Sequence, residues 1–259
     1  MQGAADRVEL VQFQFSPYNE KARWAMDWKG VPHTRTNLMP GPHMSVLKKL
    51  SGQTQTPVAI FGKTVVSGSA NILDEIARRY PDPAWDPPES MREKARELER
   101  WFDDDITPRT RRALLMSMMD DGHYVANMFG MGKGAMTRFA YGAMFPLVRG
   151  LVKKGNGIEG PESVTDGLRA AEEAFDRVAK EAAATGYLCG DHFTRADLVA
   201  AAHLAPCVGP PHPDTDAPRP RPKAMTAFLD RFAAHPGRAW VLEIYRKHRP
   251  NRPELRRAA

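Results

Sequence analysis

Residues 8–31, VELVQFQFSPYNEKARWAMDWKGV, change their hydrophobic rhythm at one serine–proline pair. Val8 to Phe15 alternates with a period of two, the mark of a strand. Ser16-Pro17 stops it. A serine there supplies a helix N-cap, and a proline at the first helical position has no N–H to leave unsatisfied. Beyond the pair, Ala22, Ala25 and Met26, with Trp24 and Trp28, recur three and four apart, and Gly30 closes the helix as a C-cap residue.

Working outward, Val31 to Leu38 alternates weakly and predicts a second strand, and Met44 to Leu50 a short helix. Thr56 to Phe61 is rich in β-formers, and Gly62-Lys63 turns it back into Thr64 to Val66. From Ser69, the residues Ile72, Leu73, Ile76 and Ala77 mark one face of a helix ending near Tyr80. The expected order is β-α-β-α-β-β-α. Four prolines between Pro81 and Pro88 read as a linker. Beyond them strand signals vanish. Helical patterns follow over 90–119, 161–184, from Thr194, over 224–234 and over 238–248, with a glycine- and methionine-rich stretch at 124–152 and a proline-rich loop at 206–222. The predicted organisation is an α/β domain over 1–81, a linker over 82–88 and an all-helical domain over 89–259.

The bulk numbers exclude several classes. With 259 residues, 42% apolar and 26% charged, the chain is a globular protein with room for two domains. No stretch approaches the ~18 consecutive apolar residues of a membrane-spanning helix. Met1 to Arg7 shows no secretory signal pattern, and two cysteines, Cys189 and Cys207, are too few for a disulfide framework, so a cytoplasmic location is expected. The eight histidines form no H-x-x-x-H or H-E-x-x-H spacing, and no metal is expected. The net charge of +6 is concentrated at the end: from Tyr245 onward six cations face one acid, which reads as a solvated basic tail.

Three local patterns carry a resemblance. Phe15-Ser16-Pro17-Tyr18, with Lys21, Arg23 and Lys29-Gly30-Val31, resembles the signature of serine-type glutathione transferases, whose serine donates a hydrogen bond to the glutathione sulfur. Gln55-Thr56-Pro57-Val58 is similar to that family's cis-proline element, where the main chain pairs with the cysteinyl part of glutathione. Ser67-Gly68-Ser69-Ala70-Asn71-Ile72 matches the position where a family serine caps the third helix and binds the γ-glutamyl carboxylate. Gly68 departs from the family's Glu or Gln, the side chain that meets the ligand's amino group. A fourth pattern, Gly190 to Asp197, resembles a family capping box with Thr194 as N-cap and Asp197 as its partner, a folding element that extends the resemblance over residues 8–205. Each motif also has a plainer reading: Ser16 as a helix cap, Pro57 as the first residue of a strand.

The resemblance implies a thioredoxin-like glutathione-binding domain followed by a helical bundle. It implies an enzyme that conjugates the glutathione thiolate to a hydrophobic electrophile or uses it for thiolytic ether cleavage, as in tau-like, bacterial β-etherase and fungal ether-cleaving classes. Ser16 would stabilise the thiolate. Gln55, Thr56, Pro57, Val58, Gly68 and Ser69 would line the tripeptide, with Lys48 or Lys49 at its glycine carboxylate. Tyr18, Met116, Met119, Tyr124 and Phe129, and also Tyr141, are candidates for the electrophile wall, which in the family lies between the domains; ordinary helix packing is the competing reading for each. Glutathione is the expected co-substrate and a homodimer the expected assembly, with no nucleic-acid partner. A non-catalytic carrier on the same fold is the alternative, favoured by Gly68, and a thiol reductase is disfavoured by serine at 16. The cations around 124–152 also leave room for a lipid-surface helix.

Overall fold

A computed structural model describes residues 7–251, so the expectations for Met1 to Asp6 and for Arg252 onward lie outside the described residues. The chain divides into two compact units, residues 7–84 with 248–251, and residues 85–247.

The first unit follows the order read from the sequence: β1 (Val8–Gln12), α1 (Pro17–Trp28), β2 (His33–Asn37), α2 (His43–Ser51), β3 (Val58–Phe61), β4 (Thr64–Ser67) and α3 (Ser69–Arg79). The sheet order is β2-β1-β3-β4. β1 runs parallel to β2 and antiparallel to β3, and β4 closes as a hairpin on β3 with Val58 opposite Ser67. Because side chains alternate across a strand, Leu10 and Val11 serve opposite faces. Val11 packs with Leu47 and Val58 beneath α2. α1 and α3 pack together through buried residues that include Ala22, Met26, Ile72 and Ile76. β1 stops at Gln12, short of the expected Phe15, because the next carbonyls leave the ladder: Arg23 takes those of Phe13 (3.4 Å) and Gln14 (2.9 Å).

The linker is pinned locally. Lys29 Nζ donates to the carbonyls of Pro81 (2.8 Å) and Pro83 (2.7 Å) within the first unit. In the second unit the Arg195 N–H donates to the Trp85 carbonyl at 2.8 Å.

Among its described residues the second unit is helical: α4 (Arg92–Arg100), α5 (Thr107–Met116), α6 (Gly122–Phe129), α7 (Ala135–Gly155), α8 (Pro161–Glu181), α9 (Arg195–Val208), α10 (Lys223–Asp230) and α11 (Pro236–His248). The long helix expected over 90–119 runs without a gap over 92–116 but is widened in its middle. A π-helical segment, Trp101–Ile106, joins α4 to α5. Pro108 explains the widening, since it offers no N–H to the carbonyl four residues back. At the crossing of α5 and α8, a Cβ on Gly167 would stand 2.5 Å from the Arg109 carbonyl, so only glycine allows that approach. Arg109 locks the same pair through both oxygens of Asp166, at 3.0 and 2.7 Å. α9 starts on the expected capping box of Thr194 and Asp197 and continues through Pro206 to Gly209, where φ is +64°. The loop expected from Pro206 therefore begins only after Val208.

Residues 248–251 depart from the sequence reading, which grouped them with the helical domain and its solvated tail. They belong to the first unit. Trp24 Nε1 donates to the His248 carbonyl at 3.0 Å, and the Arg249 side chain is fully buried. The physical reason is a pair of buried acids on α1. Arg249 Nε meets Glu20 Oε1 and its NH1 meets Asp27 Oδ2, both at 2.7 Å. Arg23 and Arg35 complete the cluster on Glu20 and Asp27 respectively.

Candidate functional site

Ser16 sits at the N-cap of α1 with extended backbone angles, and Pro17 opens the helix. Its carbonyl accepts from the N–H groups of Asn19 (3.0 Å) and Glu20 (2.9 Å), as a cap residue's must. Its hydroxyl makes no capping bond. The plainer reading of Ser16 thus holds for its backbone and not for its side chain. Orphan amides at this helix end present partial positive charge, which favours a nearby anion. The preceding loop is fixed from behind by Arg23, whose NH1 also bonds Gln12 Oε1 at 2.8 Å.

The Thr56–Pro57 peptide is cis. Asn19 Nδ2, one turn into α1, donates to Thr56 Oγ1 at 3.0 Å, so the serine cap and the proline loop share a direct tie. Asn19 is fully buried and its Oδ1 has no protein partner among the described residues. On the other side, the Gly68 N–H donates to the Pro57 carbonyl at 3.1 Å. That bond holds the head of α3 against the proline loop. Ser69 is the first residue of α3 and is buried; the cap position expected of it belongs to Gly68, whose carbonyl accepts from Ile72 at 3.0 Å. The backbone at Gly68 has φ +88°, a conformation that L side chains rarely adopt. Asn71 Nδ2 reaches back to the Ser67 carbonyl at 2.9 Å and steadies the turn.

The remaining expectations divide. Ser16, Thr56, Pro57, Val58, Gly68 and Ser69 form one contiguous constellation through these bonds and the β3–β4 pairing. Gln55 is exposed and is braced by Gln53, whose amide donates to its carbonyl at 2.7 Å. Lys48 and Lys49 are exposed on the last turn of α2. Tyr18 is half-buried on the first turn of α1. In the helical unit, Met119 and Tyr124 are buried, while Met116 and Phe129 are half-buried. Tyr124 donates its hydroxyl to the Met225 sulfur at 3.1 Å, and burial raises its pKa against the pull of Arg221. Phe129 meets Tyr141 edge-on at 6.5 Å, and burial pushes the Tyr141 hydroxyl up to about 12. These side chains pack as part of the core of the helical unit.

Some residues near the site gave no sequence signal. His43 stacks edge-on against Phe13 at 4.8 Å and accepts from the Gly41 N–H through Nδ1 at 3.0 Å. Burial lowers its pKa, outweighing a hydrogen bond to the Thr54 backbone that favours the cation. The neutral ring thereby links α2 to the loop leading into Pro57. Both cysteines are buried, with thiols pushed up to about 11 at Cys189 and about 12 at Cys207, which leaves them poor nucleophiles.

Two family models match the chain. Residues 10–84 match the glutathione S-transferase N-terminal domain, and residues 161–231 match the glutathione S-transferase C-terminal domain. Together they span more than half of the 259 residues. The chain belongs to the glutathione S-transferase family. No curated protein sequence is a significant match. Solved structures of similar fold include a glutathione S-transferase from Rhodospirillum rubrum F11, at 16% identity and a TM-score of 0.63, covering 97% of this chain and 91% of that one. Another, from Methylobacterium radiotolerans, was solved in complex with glutathione sulfonate: 18% identity, TM-score 0.60, 97% and 94% covered. The β-etherase LigF from Sphingobium sp. strain SYK-6 shares 16% identity at a TM-score of 0.59, with 91% and 98% covered.

Within this glutathione S-transferase chain, the cations of the serine-type signature have visible structural work. Arg23 holds the loop carbonyls ahead of Ser16, and Lys29 holds the linker. The signature is therefore partly a scaffold pattern.

Proposed function

We propose that this protein conjugates glutathione through its sulfur to a hydrophobic electrophile, with Ser16 as the residue that stabilises the thiolate. The observation that carries the reading is the Ser16 hydroxyl, which stands at the positive end of α1 and is not spent on capping that helix. A free glutathione thiol has a pKa of roughly 8.5–9 and is mostly protonated at neutral pH. A hydroxyl donating to the sulfur, together with the helix end, favours the anion. The thiol proton leaves to solvent. The sulfur then attacks the electrophilic carbon, and the bond from that carbon to its leaving group breaks as the sulfur–carbon bond forms. With an aryl ether as electrophile, the same step is thiolytic ether cleavage.

In this reading the backbone around Thr56, Pro57 and Val58 pairs with the cysteinyl segment, and Ser69 with the first amides of α3 receives the γ-glutamyl carboxylate. Lys48 or Lys49 meets the glycine carboxylate. Tyr18, Met116, Met119, Tyr124 and Phe129 serve the electrophile, methionine sulfur and aromatic rings suiting a soft, adaptable surface. We extend the reading to a cytoplasmic homodimer with a role in detoxification, on the strength of the family resemblance.

Gly68 supports a second reading, a non-catalytic carrier, because it leaves the ligand's amino group without the family's acid. Calorimetric titration with glutathione separates the two. Saturable binding with a bound-thiolate absorbance is expected for the enzyme. Absence of heat at millimolar ligand would favour the carrier.

A further inference from the structure

α7 carries a row of large apolar side chains that the described residues leave exposed. Met136 is 79% exposed, Phe139 74%, Met144 58%, Leu147 84% and Leu151 71%. At about 100° per residue these five fall within one arc of the helix, running over about 22 Å along its axis. The opposite face is the one that packs: Phe145 is buried, and α7 lies against α6. An apolar stripe of this size is unusual for a surface facing only water.

The charge around the stripe says what covers it. Residues 122–158 contain five Lys or Arg and not one Asp or Glu. Lys133 stands just before α7, and Lys153 and Lys154 stand on its last turn, so each end of the stripe is cationic. Arg149 is turned to Asp120. Two copies pairing through this stripe, parallel or antiparallel, would set the lysines of one end against lysines of the other copy, while the flanking acids, Asp120, Asp121 and Glu159, lie outside α7 and Asp120 is taken by Arg149. A flat anionic surface with an apolar interior answers both features: it receives the five side chains while lysines reach its headgroups. α7 contains 21 residues, yet no described helix is long and apolar enough to cross a membrane, which leaves a helix lying in the interface.

We propose that α7 docks this protein onto anionic lipid membranes, its Met136–Leu151 stripe entering the headgroup boundary. The inference rests on the second unit alone and stands whether or not the glutathione site works as proposed.

The test is flotation of the full chain with vesicles of phosphatidylcholine, alone or mixed with phosphatidylglycerol. Binding to the mixed vesicles, weakened by salt, is expected, with little binding to phosphatidylcholine alone. The double substitution Leu147→Glu/Leu151→Glu should weaken it by about tenfold or more, and Lys153→Gln/Lys154→Gln by a smaller factor that shrinks at high salt. Both pairs lie at the surface, so unchanged melting curves serve as the folding control. No binding to mixed vesicles, or equal binding by the Leu147→Glu/Leu151→Glu protein, would overturn the proposal. So would sedimentation showing a dimer that this variant dissociates, since the stripe would then be an interface between copies.

Discussion

Gly68 donates its N–H to the Pro57 carbonyl at 3.1 Å while holding a φ of +88°. The two facts belong together. The turn that delivers this N–H to the proline loop needs a backbone conformation natural to glycine, so the family's acid has no easy place here. The space is not the obstacle, since a Cβ would meet nothing nearer than Asn71 Nδ2 at 3.7 Å. Gly68→Ala should therefore cost about 1–3 kcal/mol through the backbone alone. Urea denaturation would read this as a lower midpoint at unchanged slope. Gly68→Gln should cost as much, with any gain in glutathione affinity measured separately.

Ser16→Ala should leave stability nearly untouched, because the serine hydroxyl makes no capping bond. A capping serine would instead lose about 1 kcal/mol. Turnover should suffer. If the hydroxyl supplies one to two units of thiol pKa, kcat/KM at neutral pH falls by about 10- to 100-fold, and the rate profile moves to higher pH. Equal turnover in both proteins would remove Ser16 from the chemistry, whatever the melting curves show.

The difference between what the sequence carried and what it hid follows from range. The serine–proline pair, the proline element, the β-hairpin and the Thr194–Asp197 box are local, each set by residues within a few positions, and all are readable in order. Arg249 is not, because its partner Glu20 lies 229 residues away. Read locally it joins a basic tail; in space it bridges two buried acids. His203 hides for the same reason. It is buried, with Nε2 bonded to Asp103 Oδ1 and Nδ1 to Thr107 Oγ1, both at 2.8 Å, across the π-helical segment. The constellation around Pro57 was legible as motifs, whereas Asn19 and His43, which tie its loops, needed the fold to bring them near.

Arg249→Met should strip Glu20 and Asp27 of a shared cation inside the first unit. The Glu20 and Asp27 side chains are 3% and 1% exposed, so they cannot turn to water. Removing one partner from a buried ion pair costs about 3–5 kcal/mol, and the loss here should fall at or below that range because Glu20 keeps Arg23 and Asp27 keeps Arg35. Thermal unfolding should show the loss. Arg249→Lys, which restores the positive charge, should recover part of it, whereas neutralising Glu20 and Asp27 as well would leave the buried Arg23 and Arg35 without their carboxylates. A lysine variant no more stable than the methionine variant would assign the cost to the lost guanidinium bonds and packing over Trp24 rather than to charge.

Asp197 gives a pH signature with a definite sign. Burial pushes its carboxyl up to about 6, despite hydrogen bonds from the N–H groups of Leu188 and Thr194, both 2.8 Å. In the unfolded chain an aspartate titrates near 3.9. Between about pH 4 and pH 6 the folded state therefore holds the proton that the unfolded state has released, and stability falls as pH rises. Asp197 should remove on the order of 2–3 kcal/mol across that interval. Asp197→Asn removes the titration while keeping the shape. Stability of the wild-type protein minus that of the variant should decline from pH 4 to pH 6 and then level off at about that point. A difference that instead rises with pH would mean that these bonds, with a third from the Thr194 hydroxyl at 2.9 Å, outweigh the burial of the carboxylate.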